Sequence, residues 1–326
     1  MWFLSKLVYT LFGLSCGSRA MARLLFATLP PEIRVCIAER LDRDDVFRLG
    51  GVNKNHFELL RPKIVGYRLL CALTQRNETL AIGILQDNLQ IDLKVRCRKH
   101  MSASHIASSN GFKDILRLLL VDRGHKYLLD ARDIHRNTPL IYAARYSDDE
   151  TISFLIEQGA DVNAQNVYGE TGLHLASSRG KELAVNRLLE ANAAVSVANA
   201  AGMTALWYAT TRQYVAIAKR LMVAGATIPS RNSGGDTELH LAARFNSFEL
   251  AKLFLDKGAN PSAFDIAGWT PLIWAAWNGN AELAWTLILN GANVVATDKD
   301  GSSALDFAIR AGHTEVSDLL RGQMGG

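Results

Sequence analysis

Residues 237–244 read Thr-Glu-Leu-His-Leu-Ala-Ala-Arg, and variants of this octet return along the chain at one fixed interval. Thr138-Pro139-Leu140, Thr171-Gly172-Leu173, Thr204-Ala205-Leu206, Thr237-Glu238-Leu239, Thr270-Pro271-Leu272 and Ser303-Ala304-Leu305 each begin 33 residues after the one before. Five equal intervals mark a structural repeat. Two residues before the hydroxyl stands Gly169, Gly202, Gly235, Gly268 or Gly301, with Arg136 as the exception. Five residues before it stands Asp133, Asn166, Asn199, Asn232, Asp265 or Asp298. An Asx side chain that bonds its own backbone, followed by a Gly free to take positive φ, predicts a tight turn. The Thr or Ser then predicts a helix N-cap, since its oxygen can accept one of the first amides that lack a helical partner. His174 and His240 share this local role and are expected to bond across to the adjacent loop. A second helix ends in apolar pairs such as Leu155-Ile156, Leu188-Leu189 and Phe254-Leu255. It stops at Gly159, Asn192, Gly225, Gly258 or Gly291, residues that tolerate a left-handed terminus.

These cycles closely resemble ankyrin repeats, with the T-P-L-H-x-A-A, following G, L-L and G-A elements all present between Cys97 and Gly322. Ser102-Ala103-Ser104-His105-Ile106-Ala107 is a further copy, set 36 residues before the next, with the extra length expected near Asp122 to Tyr127. That makes seven repeats, and a degenerate one is expected around Leu70 to Asn88. Arg321 replaces an apolar residue in the last repeat, as suits a terminal cap with a wet face. The resemblance implies an all-α solenoid of helix-turn-helix repeats joined by β-hairpin loops.

An ankyrin unit has no reactive residue of its own, so function must reside in its variable surface. In the family, partners are met by the hairpin tips and by the two residues after the Ala-Ala of each inner helix. Those two positions here are Arg145-Tyr146, Ser178-Arg179, Thr211-Arg212, Arg244-Phe245, Trp277-Asn278 and Arg310-Ala311. Arginine occurs in five of the six pairs and an aromatic in three. The tips add His135, Tyr168, Met203, Ile266 and Trp269. On family geometry these residues form a ladder along a concave face. Arg pairs with carboxylate or phosphate in a bidentate manner, and aromatic rings are large anchors of low entropy cost. The expected target is therefore a protein segment that is acidic or phosphorylated and carries apolar residues. The competing expectation is that these arginines only solvate the inner helices and pair with neighbouring acids. Tyr142, Tyr208, Trp274 and Phe307 share a column with Leu175 and Leu241 and are expected in the core. Trp207, in the His column, is expected to pack there.

Ahead of the repeats, residues 29–57 read LPPEIRVCIAERLDRDDVFRLGGVNKNHF. Ile33, Ile37 and Leu41 recur every four residues as one helical stripe, with Pro30 and Pro31 at its start. Three short helices in so few residues bury too little to stand comfortably alone, which hints at a partner. The stretch resembles the F-box family, with Leu29, Pro30, Glu32, Ile33, Ile37, Leu41, Asp45, Val46, Leu49, Val52, Asn53, Lys54 and Phe57 at matching positions. Val46 and Phe57 are mild departures from the usual Leu and Trp. The resemblance implies docking to the adaptor subunit of an SCF-type cullin–RING ubiquitin ligase through Leu29, Pro30, Ile33 and Ile37. The chain then reads as a substrate receptor. The alternative is an ankyrin scaffold or inhibitor whose N-terminal helices merely cap the stack.

Residues 1–20 stand apart. Lys6, the apolar run Leu7 to Leu14 and Ser18-Arg19-Ala20 have the outline of a secretory signal. The run is far shorter than the roughly 20 residues that span a bilayer, which argues against a membrane helix. Met21 as the true start is the competing reading, so a cytoplasmic or nuclear protein is expected, with secretion or targeting left open. The expected organisation is a leader at 1–20, an F-box-like module at 21–64, a linker and degenerate repeat at 65–96, and the array at 97–326. The composition, 48% hydrophobic and 21% charged, excludes a disordered chain and a polytopic membrane protein. A net charge of +4 spread along the chain carries no nucleic-acid signal. Cys16, Cys36, Cys71 and Cys97 all fall in the first third and make no disulfide framework. Cys97, His100 and His105 lack a fourth metal ligand, and no G-x-x-x-x-G-K-[ST], H-E-x-x-H or G-x-S-x-G is present. No cofactor, metal or catalytic residue is expected, and the chain is expected to be a monomer by itself.

Overall fold

The computed structural model describes residues 54–87, 90–97, 99–228 and 231–324. The leader and the F-box-like stretch up to residue 53, with Leu29, Pro30, Ile33 and Ile37, lie outside the described residues. The first described elements are α1 (Lys54–Thr74), α2 (Glu78–Asp87), α3 (Ala103–Asn110) and α4 (Lys113–Arg117), followed by a π-helix at Leu118–Asp122 and a 3₁₀ turn at Lys126–Leu128. Six helix pairs follow. They are α5 (Pro139–Tyr146) with α6 (Asp149–Glu157), α7 (Gly172–Ser178) with α8 (Glu182–Glu190), and α9 (Ala205–Thr211) with α10 (Val215–Val223). Then come α11 (Glu238–Arg244) with α12 (Phe248–Asp256), α13 (Pro271–Asn278) with α14 (Ala281–Leu289), and α15 (Ala304–Ala311) with α16 (Thr314–Met324). Two compact units divide between Ala107 and Ser108, inside α3.

In the first unit, α1 runs unbroken past residue 64, where the sequence places the end of the F-box-like module. It carries Pro62 internally, and the Pro62 carbonyl accepts the Asp92 amide at 3.0 Å. Gly66 makes this approach possible, because a Cβ there would lie 2.3 Å from the Asp92 carbonyl oxygen. Leu69, Leu70 and Leu73 of α1 bury against Ala81, Ile84 and Leu85 of α2.

The second unit repeats one local solution. The hydroxyl oxygens of Thr138, Thr204, Thr237, Thr270 and Ser303 each accept the amide three residues on, which settles a donor the helix leaves over. Behind these caps, Leu140, Leu173, Leu206, Leu239 and Leu272 are buried along the inner helices. Leu155, Leu188, Leu221, Phe254, Leu287 and Leu320 form the matching column on the outer helices, each with no exposed surface. Ala143, Ala176, Ala209, Ala242, Ala275 and Ala308 are also fully buried, and their small side chains let successive inner helices approach closely.

The extra length before Thr138 is absorbed where the outer helix of that repeat widens. Arg123 N–H bonds the Leu118 carbonyl five residues back at 3.1 Å, and Gly124 then turns the chain with positive φ.

The loops differ from the expected β-hairpins. Among the described residues no strand forms, and the one isolated bridge joins Thr297 to Ser303. The physical cause is competition for amides. Asp265 Oδ1 accepts the Ala267 and Trp269 N–H groups at 2.8 and 2.9 Å, and Asn199 Oδ1 accepts those of Ala201 and Met203 at 2.9 and 3.0 Å. Too few amides remain for a ladder. Successive loops are joined by single backbone bonds, Val167 N–H to His135, Ala200 N–H to Tyr168, Ser233 N–H to Ala201, Ile266 N–H to Gly234 and Lys299 N–H to Ala267, at 2.9–3.3 Å.

Candidate functional site

Each inner helix ends shortly after its buried alanine (Ala143, Ala176, Ala209, Ala242, Ala275 or Ala308) and the residue that follows it, so the next two side chains leave the core at the same place in every repeat. Arg145, Tyr146, Arg179, Arg212, Arg244, Phe245, Trp277 and Arg310 are all exposed there, and Ser178, Thr211 and Asn278 are half-buried. Among the described residues, three ion pairs form: Lys113–Glu150, Arg187–Glu190 and Arg321–Asp318. None uses an arginine of this column. Three of those arginines rest on rings instead. The guanidinium carbon of Arg145 lies 5.2 Å from the Tyr146 centroid, that of Arg244 5.0 Å from Trp274 and 5.9 Å from Phe245, and that of Arg310 5.7 Å from Phe307. A guanidinium resting on a ring can still offer N–H groups to an anion, although Arg310 also donates one to Ser302 Oγ at 3.1 Å.

The loop residues divide by position. His135, Tyr168 and Ile266 project at the tips and are exposed, with His135 and Tyr168 stacked at 6.3 Å. Met203 and Trp269 are half-buried, because each immediately precedes a cap and its backbone closes the Asx turn.

One column departs from its expected place in the core. Phe307 is buried, as are Leu175 and Leu241, but Tyr142, Tyr208 and Trp274 are only half-buried. The phenols reach polar partners in the turns. Tyr142 Oη donates to Asp133 Oδ2 at 2.8 Å, while Tyr208 Oη donates to Glu170 Oε1 at 2.8 Å and accepts from Asn199 Nδ2 at 3.1 Å. A hydroxyl that would be costly in a closed core is satisfied by a loop carboxylate at the helix–turn junction. Burial and the bonded carboxylates push both phenols well above the usual tyrosine range. Burial would raise Asp133, but hydrogen bonds from Asn137, Tyr142 and the His135 amide outweigh it and hold the carboxyl below its ordinary value. Trp207 is buried in the His column, as its ring chemistry requires.

His174 and His240 have structural roles. His240 Nδ1 accepts the Thr237 N–H at 3.1 Å, and Nε2 lies 3.1 Å from the Trp269 carbonyl in the next loop. This assigns the proton to Nε2. His174 Nδ1 accepts the Thr171 N–H in the same way, at 3.1 Å. Its Nε2 has no well-formed bond, and the backbone of Met203 and Val197 in the following segment engages the ring only weakly, so the link to the next loop is well formed at His240 and loose at His174. Burial lowers the pKa of both rings.

Toward the C-terminal end the aromatic side chains converge. Trp269 lies 4.3 Å from Trp274, 6.0 Å from Trp277 and 4.7 Å from Phe307 between centroids, and Trp277 lies 5.8 Å from Phe307. Arg244 and Arg310 stand over Trp274 and Phe307, two members of this group. The end of α13 that carries Trp277 is held by its neighbour, since His313 Nε2 lies 3.1 Å from the Trp277 carbonyl. Gly279, at φ 72°, leaves room for that imidazole, and a Cβ there would come within 2.5 Å of the ring. Reading the sequence alone misses Trp274 as surface chemistry, while Phe307 is buried as its column predicts. The alternation of Leu with Tyr and Trp in their column was the available signal.

Among the described residues, no group of three or more His, Cys, Asp or Glu could hold a metal ion, and no helix is long and apolar enough to cross a membrane. The site as built has rings, exposed guanidinium groups outside ion pairs and bonded carboxylates, which suit recognition of another surface.

A family model described as Ankyrin repeats (3 copies) matches residues 69–166, 164–232, 214–298 and 239–325. No F-box domain is detected, and no curated protein matches the chain. Ankyrin repeats serve in protein–protein interaction and are typically non-enzymatic binding scaffolds. With a capped helix pair every 33 residues and family matches from residue 69 to residue 325, the chain belongs to the ankyrin-repeat family.

Proposed function

We propose that the chain is a substrate receptor of an SCF-type cullin–RING ubiquitin ligase, with no catalytic activity of its own. The ankyrin array holds an acidic or phosphorylated target, and the F-box-like stretch docks to the ligase adaptor. The observation that carries the capture half is the row of five exposed arginines, none of which forms an ion pair among the described residues, with Asp306 the one acid that feels Arg310 through space. The docking half rests on Leu29, Pro30, Ile33 and Ile37 in their family spacing. Such a receptor works in the cytoplasm or nucleus.

Two measurements test the two halves separately. Replacing Arg179, Arg212 and Arg244 with Ala is expected to weaken target capture at least tenfold while the helical circular dichroism and melting curve stay unchanged. Undiminished capture removes the arginine column from the reading. Co-purification of the full chain with the SCF adaptor, lost in Leu29→Ala/Pro30→Ala, is the expected result for docking. An intact chain that fails to bind the adaptor leaves an ankyrin scaffold or inhibitor with no ligase role.

A further inference from the structure

We propose that target capture is anchored in the last three repeats, at the ring cluster between Arg244 and Arg310, and that its ligand is an extended peptide with an apolar side chain flanked by two carboxylates. This deepens the receptor reading and rests on it. The arginines recur along the whole column, but rings converge in one place. Trp269 touches Trp274, Trp277 and Phe307 at centroid distances of 4.3–6.0 Å, and Trp277 remains 47% exposed. A cluster of large rings with one open member is where an interface gains most from a single apolar anchor.

Charge fixes the sign of the ligand's flanks. Arg244 already covers Trp274, and Arg310 covers Phe307. A cationic ligand seeking those ring faces would meet two resident cations. A carboxylate instead meets the remaining exposed N–H groups of each guanidinium: Arg310 donates one to Ser302 Oγ at 3.1 Å and lies in the field of Asp306, but neither arginine forms an ion pair among the described residues. Geometry favours two separate carboxylates over one phosphate. A phosphate is gripped best by donors that converge on it, whereas Arg244 and Arg310 stand two repeats apart. Stacked helices lie about 8–10 Å apart, so two steps are roughly 16–20 Å. An extended chain advances about 3.3 Å per residue, so the two acids should be about five to six residues apart with the apolar residue midway.

The probe is a fluorescein-labelled nonapeptide of Gly and Ser with glutamate at its second and eighth positions and leucine at its fifth. Polarisation against the full chain is expected to show saturable binding. Lysine in place of both glutamates, or alanine in place of the leucine, is expected to weaken it at least tenfold. Trp277→Ala and Arg310→Glu are each expected to cost at least tenfold, with Leu183→Ala on the outer surface as the folding and specificity control. Equal binding by the lysine peptide, tighter binding by a trimethyllysine or single-phosphoserine peptide, or no effect of Trp277→Ala and Arg310→Glu overturns the proposal. If Arg145→Glu/Arg179→Glu abolishes binding while the C-terminal variants are silent, the anchor lies elsewhere and the receptor reading stands. If no arginine variant affects any acidic peptide, this anchor and the capture half of the receptor reading both fall.

Discussion

Thr237 and His240 settle three polar groups between them: the amide of Thr237 is taken by the imidazole, and the imidazole N–H lies against the Trp269 carbonyl. Only the neutral ring can accept at Nδ1, so protonation breaks the cap. The pKa of His174 and His240 is lowered by burial below the ordinary 6.5. The unfolded chain therefore binds more protons, and the stabilisation is complete above pH 6.5 and is lost as the pH falls below it. His174→Gln/His240→Gln, which keeps an N3 acceptor for the box, should flatten this loss in urea titrations run from neutral to mildly acidic pH. An unchanged slope would show that neither ring titrates with unfolding. Thr270 is a simpler cap, accepting the Ile273 amide at 3.2 Å. Thr270→Ala should cost about 1 kcal/mol by chemical denaturation, the usual worth of an N-cap. These roles are legible in the sequence because cap and partner are three residues apart. The half-buried places of Tyr142 and Tyr208 are less legible. Their ring column looks apolar from within one helix, and the carboxylate that receives the Tyr208 hydroxyl, Glu170, lies 38 residues away.

At the scale of an element, the outer helices are amphipathic with a sharply divided face. On α10, Leu221 has no exposed surface, whereas Val223 two residues on is 79% exposed. Removing the buried side chain leaves a cavity between helices that are already tethered to neighbours on both sides and cannot close over it. Leu221→Ala should lose about 2–5 kcal/mol, the range for buried leucines. Leu183→Ala on α8, which is 63% exposed, should change stability by less than about 0.5 kcal/mol. Equal losses in the two variants would mean that the burial pattern does not describe the packed state in solution. The loops illustrate how a small element can be mistaken for another. Asp and Asn side chains take the amides a hairpin would need, and that diversion is visible only when each bond is traced.

Across the second unit, every repeat touches only its neighbours, so stability is close to a sum of repeat and interface contributions. Leu320 ends the buried column and Leu221 lies within it. Leu320→Ala should accelerate amide hydrogen exchange in α15 and α16 alone, and Leu221→Ala should do so on both sides of α10. Uniform acceleration in the first variant would reveal a single cooperative block instead. The exposed arginine column also acts at this scale, as a field along the face. Raising salt from 0.1 to 1 M shortens the screening length from about 10 Å to about 3 Å. Capture of an acidic target should weaken accordingly, and salt-independent capture would assign the binding energy to the rings alone.

The repeat, its period, the caps and the turn that precedes each one were determined by the sequence itself. Each depends on a backbone amide or carbonyl that must find a partner within a few residues, and the residue types able to supply one are few. The exposed placement of Arg145, Arg179, Arg212, Arg244 and Arg310 also followed from counting past the alanine of each inner helix and the residue that follows it. What gathers at the site is a different matter. That Trp269 of one loop meets Phe307 of a helix 38 positions later, or that Arg244 covers a tryptophan of the next repeat, depends on the spacing and rotation with which repeats stack. Neither quantity is encoded in any one repeat. Local hydrogen-bonding needs therefore specify the unit, and only close packing between units decides which side chains share a surface.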